Sequence, residues 1–380
     1  MNIARTSSFT AHPPSPLADD DVSFLRLIRS RRVGPATFHR LIREHGTVAA
    51  SLDALPQLAA DAGVTDYQPC PEGVAVAELN AGRRIGARLI RYDSPQYPPA
   101  LRDIDGAPPV LWVRGDAAML ALNPIAVIGA RNASSLGLRM ARGMATGLGE
   151  AGFTVVAGLA RGVDTAAHNA ALPTGTVAVM AGGVDVIYPS ENAILAAQIA
   201  ERGVLVSEQP PGTEPHARHF PTRNRIISGL SRAVIVIEAA HRSGTLITAK
   251  NALDQGREVM AVPGHPMDAR AAGCNALIRD GATLVRSAAD VAAALAEAEQ
   301  PFALPATPAP QPTPQPARIP APDPAQLETA ILSRLSPSPS DENDIIRDVG
   351  APASTASAAI LSLELQGRLT RLVGGRIALA

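Results

Sequence analysis

The sequence predicts an α/β protein built on a doubly wound parallel sheet, and three observations carry that prediction. From Ile125 to about Ala298, short apolar runs rich in β-branched residues alternate with helix-forming stretches. Such runs belong to strands buried on both faces by crossover helices. The first two runs break at glycine and place an arginine beside the break: Ile125-Ala-Val-Ile-Gly129-Ala-Arg131, and Phe153-Thr-Val-Val-Ala-Gly158-Leu-Ala-Arg161-Gly162-Val-Asp164. Later runs end in further Gly-, Ser- and Arg-bearing turns, at the carboxyl ends of strands, where such sheets bind ligands.

The expected strands are Ile125–Gly129, Phe153–Ala157, Thr176–Met180, Val204–Ser207, Ala233–Glu238, Glu258–Val262 and Thr283–Val285. Before them, the proline pairs Pro98-Pro99 and Pro108-Pro109 fix extended backbone. Val110 to Val113 then reads as a strand preceding the main sheet, with no chemistry of its own. The sheet domain is expected over residues 87–298.

Residues 19–86 read as a small helical module. Val22 to Ile28 starts one amphipathic helix, and the turn at Gly34-Pro35 leads into another. A Gly-Pro turn between short helices is a weak match to the helix–hairpin–helix unit, whose backbone N–H groups hold DNA phosphates. Matches this short are often accidental, so a packing module is the favoured reading. Residues 1–18, rich in Ser, Pro and His, read as a loose tail without a signal-peptide core.

Residues 299–324 are rich in Pro, Ala, Gln and Thr and are expected to form an extended tether. The final domain, 325–380, reads as three helices (Gln326–Leu335, Asp341–Asp348, Ser354–Gln366) and a hairpin with Gly374-Gly375 at its tip. That order makes a winged helix. Its third helix carries no Lys or Arg and includes Glu364, which suits a protein contact or regulatory role better than groove reading.

Bulk composition narrows the function. The formal net charge is −1, so nucleic-acid binding would need a local patch. Lys250 is the only lysine among 34 basic residues, a skew that suits bidentate phosphate contacts, with coding bias the favoured explanation. Two cysteines, Cys70 and Cys274, supply neither a disulfide framework nor a zinc site. No apolar run approaches a bilayer span, and a soluble cytoplasmic protein is expected.

The candidate site gathers at the carboxyl edge of the sheet. Glycine lets backbone approach a phosphate, helix starts offer free N–H groups, and arginine adds a forked cation. The residues are Gly129, Arg131, Gly158, Arg161, Gly162, Asp164, Gly182, Gly183, Tyr188, Arg223, Asn224, Arg225, Ser243, Gly244 and Thr245. Blander roles are open for several: Arg223 and Arg225 as partners of Glu208 and Glu238, Asp164 as a helix cap, His168 as a packed residue. There is no Gly-x-x-x-x-Gly-Lys-Ser/Thr loop, no Gly-x-Gly-x-x-Gly fingerprint, no Gly-x-Ser-x-Gly elbow and no paired-histidine metal motif. No catalytic residue, cofactor or metal is expected.

Seven motifs in order, Ile-Gly-Ala-Arg131, Gly158-Leu-Ala-Arg-Gly-Val-Asp164, Tyr188-Pro189, Ser207-Glu208, Phe220-Pro-x-Arg-Asn-Arg225, Ser243-Gly-Thr-Leu-Ile-Thr-Ala249 and Val262-Pro-Gly264, closely resemble the DNA-processing protein A (DprA/Smf) family. The resemblance spans roughly Tyr92 to Ala298, and both terminal modules look like that family's flanking domains, the first SAM- or helix–hairpin–helix-like. It implies a Rossmann-like domain that binds single-stranded DNA, forms a homodimer and loads a RecA-type recombinase in natural transformation. By motif, Arg131 and the Gly158–Gly162 turn would hold phosphates, Gly182, Gly183 and Tyr188 would line the same pocket, and Arg223 and Arg225 would touch DNA or shape the floor. Many relatives carry a basic residue after Tyr-Pro, where this chain has Ser190.

The rival reading is a nucleotide-binding enzyme. The Ser243-Gly244-Thr245 turn also resembles that of nucleoside-monophosphate phosphoribohydrolases. Those enzymes place a glutamate where this chain has Thr248, so the acid/base group is missing unless Glu208 or Glu238 replaces it.

Overall fold

A computed structural model describes residues 19–299, 323–335, 339–372 and 376–380. The expected N-terminal tail, the Pro-rich tether up to residue 322 and the hairpin tip Gly374-Gly375 lie outside the described residues. Two units are present, the first ending at Pro301 and the second starting at Phe302.

The first unit opens with four helices: α1 (Asp19–Arg29), α2 (Pro35–His45), α3 (Val48–Asp61) and α4 (Glu72–Arg84). Pro35 starts α2, where a missing N–H costs nothing. Thr47 caps α3 by accepting from the Ala50 N–H. Next come β1 (Arg88–Arg91), α5 (Pro99–Arg102) and β2 (Val110–Gly115).

The alternating section then runs β3 (Pro124–Ile128), α6 (Ser135–Glu150), β4 (Thr154–Ala157), α7 (Val163–Ala171), β5 (Thr176–Val179), α8 (Ala193–Arg202) and β6 (Val204–Ser207). It continues with α9 (His219–Leu230), β7 (Ala233–Val236), α10 (Thr245–Asp254), β8 (Glu258–Ala261), α11 (Ala272–Arg279), β9 (Thr283–Leu284) and α12 (Ala288–Glu299). All seven expected strands form: β6 as expected, β3 shifted one residue toward the N-terminus, β4 without its first residue, and the other four a residue or two shorter at their carboxyl ends, where the chain has already turned toward the following loop.

The sheet has nine strands in the order β1-β2-β6-β5-β4-β3-β7-β8-β9. From β6 to β9 every pairing is parallel. The lead-in is part of this sheet: β2 pairs antiparallel with β6, and β1 with β2. This corrects the expectation of a strand merely preceding the sheet. The edge strand β1 was not foreseen, since Arg88-Leu-Ile-Arg91 is too short and too charged at its ends to stand out.

Strand residues alternate between the faces, as a period of two demands. Ala126, Ile128, Val234 and Val236 bury one face against Ile226, Ile227 and Leu230 of α9 and Ala249 and Ala252 of α10. Ile125, Val127 and Ile235 bury the other against α6, α7 and α12. At the β2 end of that second face, Trp112, Ala178 and Leu205 share one core with α8 and the N-terminal helices. Leu25, Leu27, Phe38 and Leu41 of that module are all buried. The module is therefore fused to the sheet through apolar surface.

The second unit holds α13 (Pro324–Arg334), β10 (Ser340–Asp341), α14 (Glu342–Val349), α15 (Ala353–Leu365), β11 (Leu369–Leu372) and β12 (Arg376–Leu379). Its three-stranded sheet is ordered β10-β12-β11. Leu327, Ile331, Ile345, Ile360, Leu363 and Ile377 form its core. Three helices and a small antiparallel sheet make the expected winged helix.

Candidate functional site

The sheet reverses its winding between β3 and β7. The chain leaves β3 for α6 on one face and leaves β7 for α10 on the other, which opens a crevice at their carboxyl ends. Two cavities meet there, sharing Arg131, Ala160, Phe220 and Arg223 as common walls. A narrow lobe of about 40 Å³ is completed by Gly158, Arg161, Tyr188 and Pro189. A wide lobe of about 720 Å³ is walled by Gly129, Asn132, Asp164, Asn224, Arg242, Ser243, Gly244, Thr245 and Arg270, among others.

Arg131 sits on the turn after β3 and makes no ion pair among the described residues. Its guanidinium lies over the Phe220 ring, 5.3 Å from the centroid. Phe220 in turn meets Tyr188 at 5.6 Å and 60°. Tyr188 is 52% exposed, a large aromatic surface left to solvent beside a free cation. Two tilted rings next to an arginine can offer a face to a planar base with a phosphate at its side.

Arg223 has a different task. It is buried on α9, and its Nη1 donates to the carbonyls of Gly158 (2.6 Å) and Val179 (2.5 Å) at the ends of β4 and β5. A Cβ on Gly158 would come within 2.0 Å of that nitrogen, so the glycine makes room for the guanidinium. Burial lowers the Arg223 pKa to about 10, with Asp164 opposing the shift. Asp164 is buried as well and accepts from the Gly158 (3.0 Å) and Ala160 (3.3 Å) N–H groups. Burial raises its pKa, and Arg223 and those two N–H groups oppose the rise. Asp164 thus ties its helix back to the β4 turn instead of capping it. Arg223 shapes the floor of the crevice from below.

The other arginines divide. Arg161 lines the narrow lobe and holds Glu191 through two 2.7 Å hydrogen bonds. Arg225 does not line either lobe: its guanidinium is paired with the half-buried Glu208. Burial raises the Glu208 pKa, and Arg225 and Arg29 oppose that rise. Gly182 and Gly183 also stand outside both lobes, covered by residues 210–215. Gly162 is packed beneath the carbonyls of Ala130 and Arg131. Gly182 and Gly183, expected in the pocket lining, are thus not part of either lobe, and Arg225 takes the Glu208 partner that was its alternative role.

At α10 the hydroxyls are engaged in holding the turn. Ser243 Oγ accepts from the Thr245 N–H, and Thr245 Oγ1 donates to the Gly129 carbonyl (3.1 Å). Neither caps the helix, whose first residues are reached through Gly244 without a side-chain cap. Glu238 accepts from the Ser134 N–H and hydroxyl at the start of α6. Both carboxylates that the enzyme reading would recruit are therefore tied down, and Thr248 is buried. Among the described residues no His/Cys/Asp/Glu group is placed to hold a metal.

Sequence reasoning left out Phe220, Glu191, Asn132, Arg242 and Arg270 as site residues. Phe220 carried a signal, as one of few aromatics directly before Pro-x-Arg-Asn-Arg. Arg242 adjoins the Ser-Gly-Thr turn and was equally readable. Arg270 is brought in by the fold of the loop after β8, which no local pattern announces.

A mostly parallel α/β sheet with a crevice lined by arginines, Tyr188 and Phe220 at its switch point, and no Walker-type loop or dinucleotide fingerprint, defines a Rossmann-like protein. The family model described as DNA recombination-mediator protein A matches residues 88–296, the DprA-like N-terminal HHH domain residues 18–81, and the DprA winged helix domain residues 305–375. The chain belongs to the DNA recombination-mediator protein A (DprA/Smf) family.

The chain is 43% identical over 216 residues to the DNA processing protein DprA of Bacillus subtilis, covering 56% of this chain and 73% of that one. It is 38% identical over 294 residues to protein Smf of Escherichia coli, covering 77% of each. The X-ray structure of DprA from Streptococcus pneumoniae superposes with a TM-score of 0.57 at 34% identity, over 69% of this chain and 98% of that one. A Helicobacter pylori DprA structure, described for its single-stranded DNA binding mode, gives 0.52 at 26% identity, over 56% and 96%.

Proposed function

We propose that this protein binds single-stranded DNA in the crevice between β3 and β7 and acts in DNA processing during transformation and recombination. One observation carries the reading: Arg131, unpaired, lies on Phe220 beside the exposed ring of Tyr188. A duplex hides its bases, whereas a single strand offers base and phosphate together, which is what this platform accepts. The Helicobacter pylori relative described for single-stranded DNA binding supports the same ligand.

In this reading the protein is cytoplasmic and dimeric, shields the strand and delivers it to a RecA-type recombinase. It is a binder and not a catalyst, supported by Thr248 at the acid/base position and by the engagement of Glu208 and Glu238.

The test is fluorescence anisotropy of a labelled oligothymidine at two salt concentrations, with duplex competitor and Arg131→Ala beside wild type. Each neutralised phosphate contributes about −0.7 to the log–log salt slope for single strands. Salt-sensitive binding that Arg131→Ala weakens supports the reading. Absent binding, or equal preference for duplex, overturns it, and hydrolysis of a nucleoside monophosphate would then favour the enzyme.

A further inference from the structure

At the mouth of the narrow lobe, Arg161 and Glu191 form an ion pair that closes on itself. Nε and Nη2 of Arg161 donate to the two carboxylate oxygens of Glu191, both at 2.7 Å. The side chains are 62% and 59% exposed, so water and ligand reach both. The pair joins the loop after β4 to the short turn Ser190–Asn192 that follows Tyr188 and Pro189.

The backbones on either side are held. Asn192 is buried, and its Nδ2 donates to the Leu159 carbonyl (2.9 Å) and to Thr165 Oγ1 (2.9 Å). Asp164 fixes the other loop through the Gly158 and Ala160 N–H groups. The two side chains are therefore the movable parts between anchored loops. An arginine fork that holds a carboxylate bidentately offers the same two N–H groups that a phosphate would take.

We propose that Glu191 is a built-in competitor for the strand's phosphate: it occupies Arg161 in the free protein, and a bound phosphate displaces it. This rests on the single-strand reading of the crevice and names the residue that limits its affinity. Glu191 acts twice, by masking one cation of the narrow lobe and by presenting a negative charge to an incoming anion. An exposed pair of this kind is weak enough to be broken by a ligand that also gains stacking on Tyr188 and Phe220. A small anion without a base gains no such contact and leaves the pair closed.

The test measures oligothymidine anisotropy on the full chain for wild type, Glu191→Gln, Arg161→Ala, the double variant and Arg131→Ala, with a thermal melt of each. Glu191→Gln is expected to tighten binding by roughly two- to tenfold at low salt and to steepen the salt slope by up to about one phosphate contact. Arg161→Ala is expected to weaken binding more in the Glu191→Gln background than in wild type, the signature of coupled groups. Unchanged or weaker binding by Glu191→Gln with an unshifted melt overturns the competitor role, as does an equal Arg161→Ala effect in both backgrounds. If Arg131→Ala still weakens binding in that case, the crevice reading stands alone. Should wild type show no salt-sensitive binding, both readings fall.

Discussion

The guanidinium of Arg131 lies 5.3 Å from the centre of the Phe220 ring, so two segments 89 positions apart in the chain build a single platform. Arg131 comes from the turn after β3 and Phe220 from the start of α9. The cation has no ion-pair partner among the described residues, and the ring lies against its guanidinium. Phe220 is half-buried and in contact with both Tyr188 and Arg131. Removing the ring takes away both the stacking surface and the support of the cation.

Phe220→Ala is therefore expected to weaken oligothymidine binding by about 1–3 kcal/mol, the range for loss of one base–aromatic stack. Phe220→Tyr should retain most of the affinity. Anisotropy titrations decide this, and a Phe220→Ala protein that binds like wild type sinks the platform.

Arg223→Met is expected to act on folding before binding. The substitution leaves the carbonyls of Gly158 and Val179 without their shared donor and Asp164 without its nearby cation. Breaking a buried charged network from one side costs about 3–5 kcal/mol. Urea unfolding should show that loss for Arg223→Met and a far smaller change for Arg131→Ala, whose guanidinium has no such buried acceptors. Equal stabilities would mean that Arg223 is a ligand group and not a floor.

Much of this division of labour was unreadable from residue order. The seven strands and their glycine breaks follow from local hydrophobic pattern, and the two cavities lie at the carboxyl edge that pattern defines. Arg131, Arg223 and Arg225 look alike in sequence. What separates them is the path of α9: position 223 faces the strand ends, while position 225 meets Glu208, one of the two carboxylates the sequence offered to both arginines without saying which would be paired. Arg161 was legible as a cation, but its engagement depends on Glu191 in another turn. The sheet edge was lost for a similar reason, because β1 becomes a strand only by pairing with β2.

His168 ties stability to pH. Its Nδ1 lies 2.8 Å from Thr176 Oγ1, and that hydroxyl donates to the Val155 carbonyl. The hydroxyl therefore accepts from Nδ1–H, and the buried Nε2 is left as an acceptor without a partner. Burial, with Arg223 nearby, lowers the folded pKa from 6.5 to about 3. The unfolded chain thus binds one more proton between those values, and this contribution to stability is lost as pH falls through that window. From pH 6.5 to 5.5 the wild type should lose about 1 kcal/mol more than His168→Gln in urea unfolding. Asp164 and Glu208, whose pKa values are raised, run in the opposite sense and cancel in the paired comparison. Parallel pH profiles for the two proteins would contradict the buried neutral imidazole.

Trp112 offers a direct readout of how the helical module is joined to the sheet. It is the only tryptophan in the chain and 1% exposed. Its Nε1 donates to Glu78 of α4 (2.8 Å), which also pairs with Arg29 of α1 (2.9 Å). Gly82 of α4 lies flat on the indole, and a Cβ there would sit 2.0 Å from the ring. Gly82→Ala must therefore push α4 off β2, an overpacking expected to cost about 1–3 kcal/mol. Gly73→Ala, in the same helix with open space around it, should instead stabilise by about 0.5–1 kcal/mol. The expected outcome is red-shifted tryptophan emission and faster proteolysis of the module for Gly82→Ala, with neither change for Gly73→Ala. If Gly82→Ala keeps native emission and protection, α4 is not seated on Trp112, and the shared core between module and sheet is not what joins them.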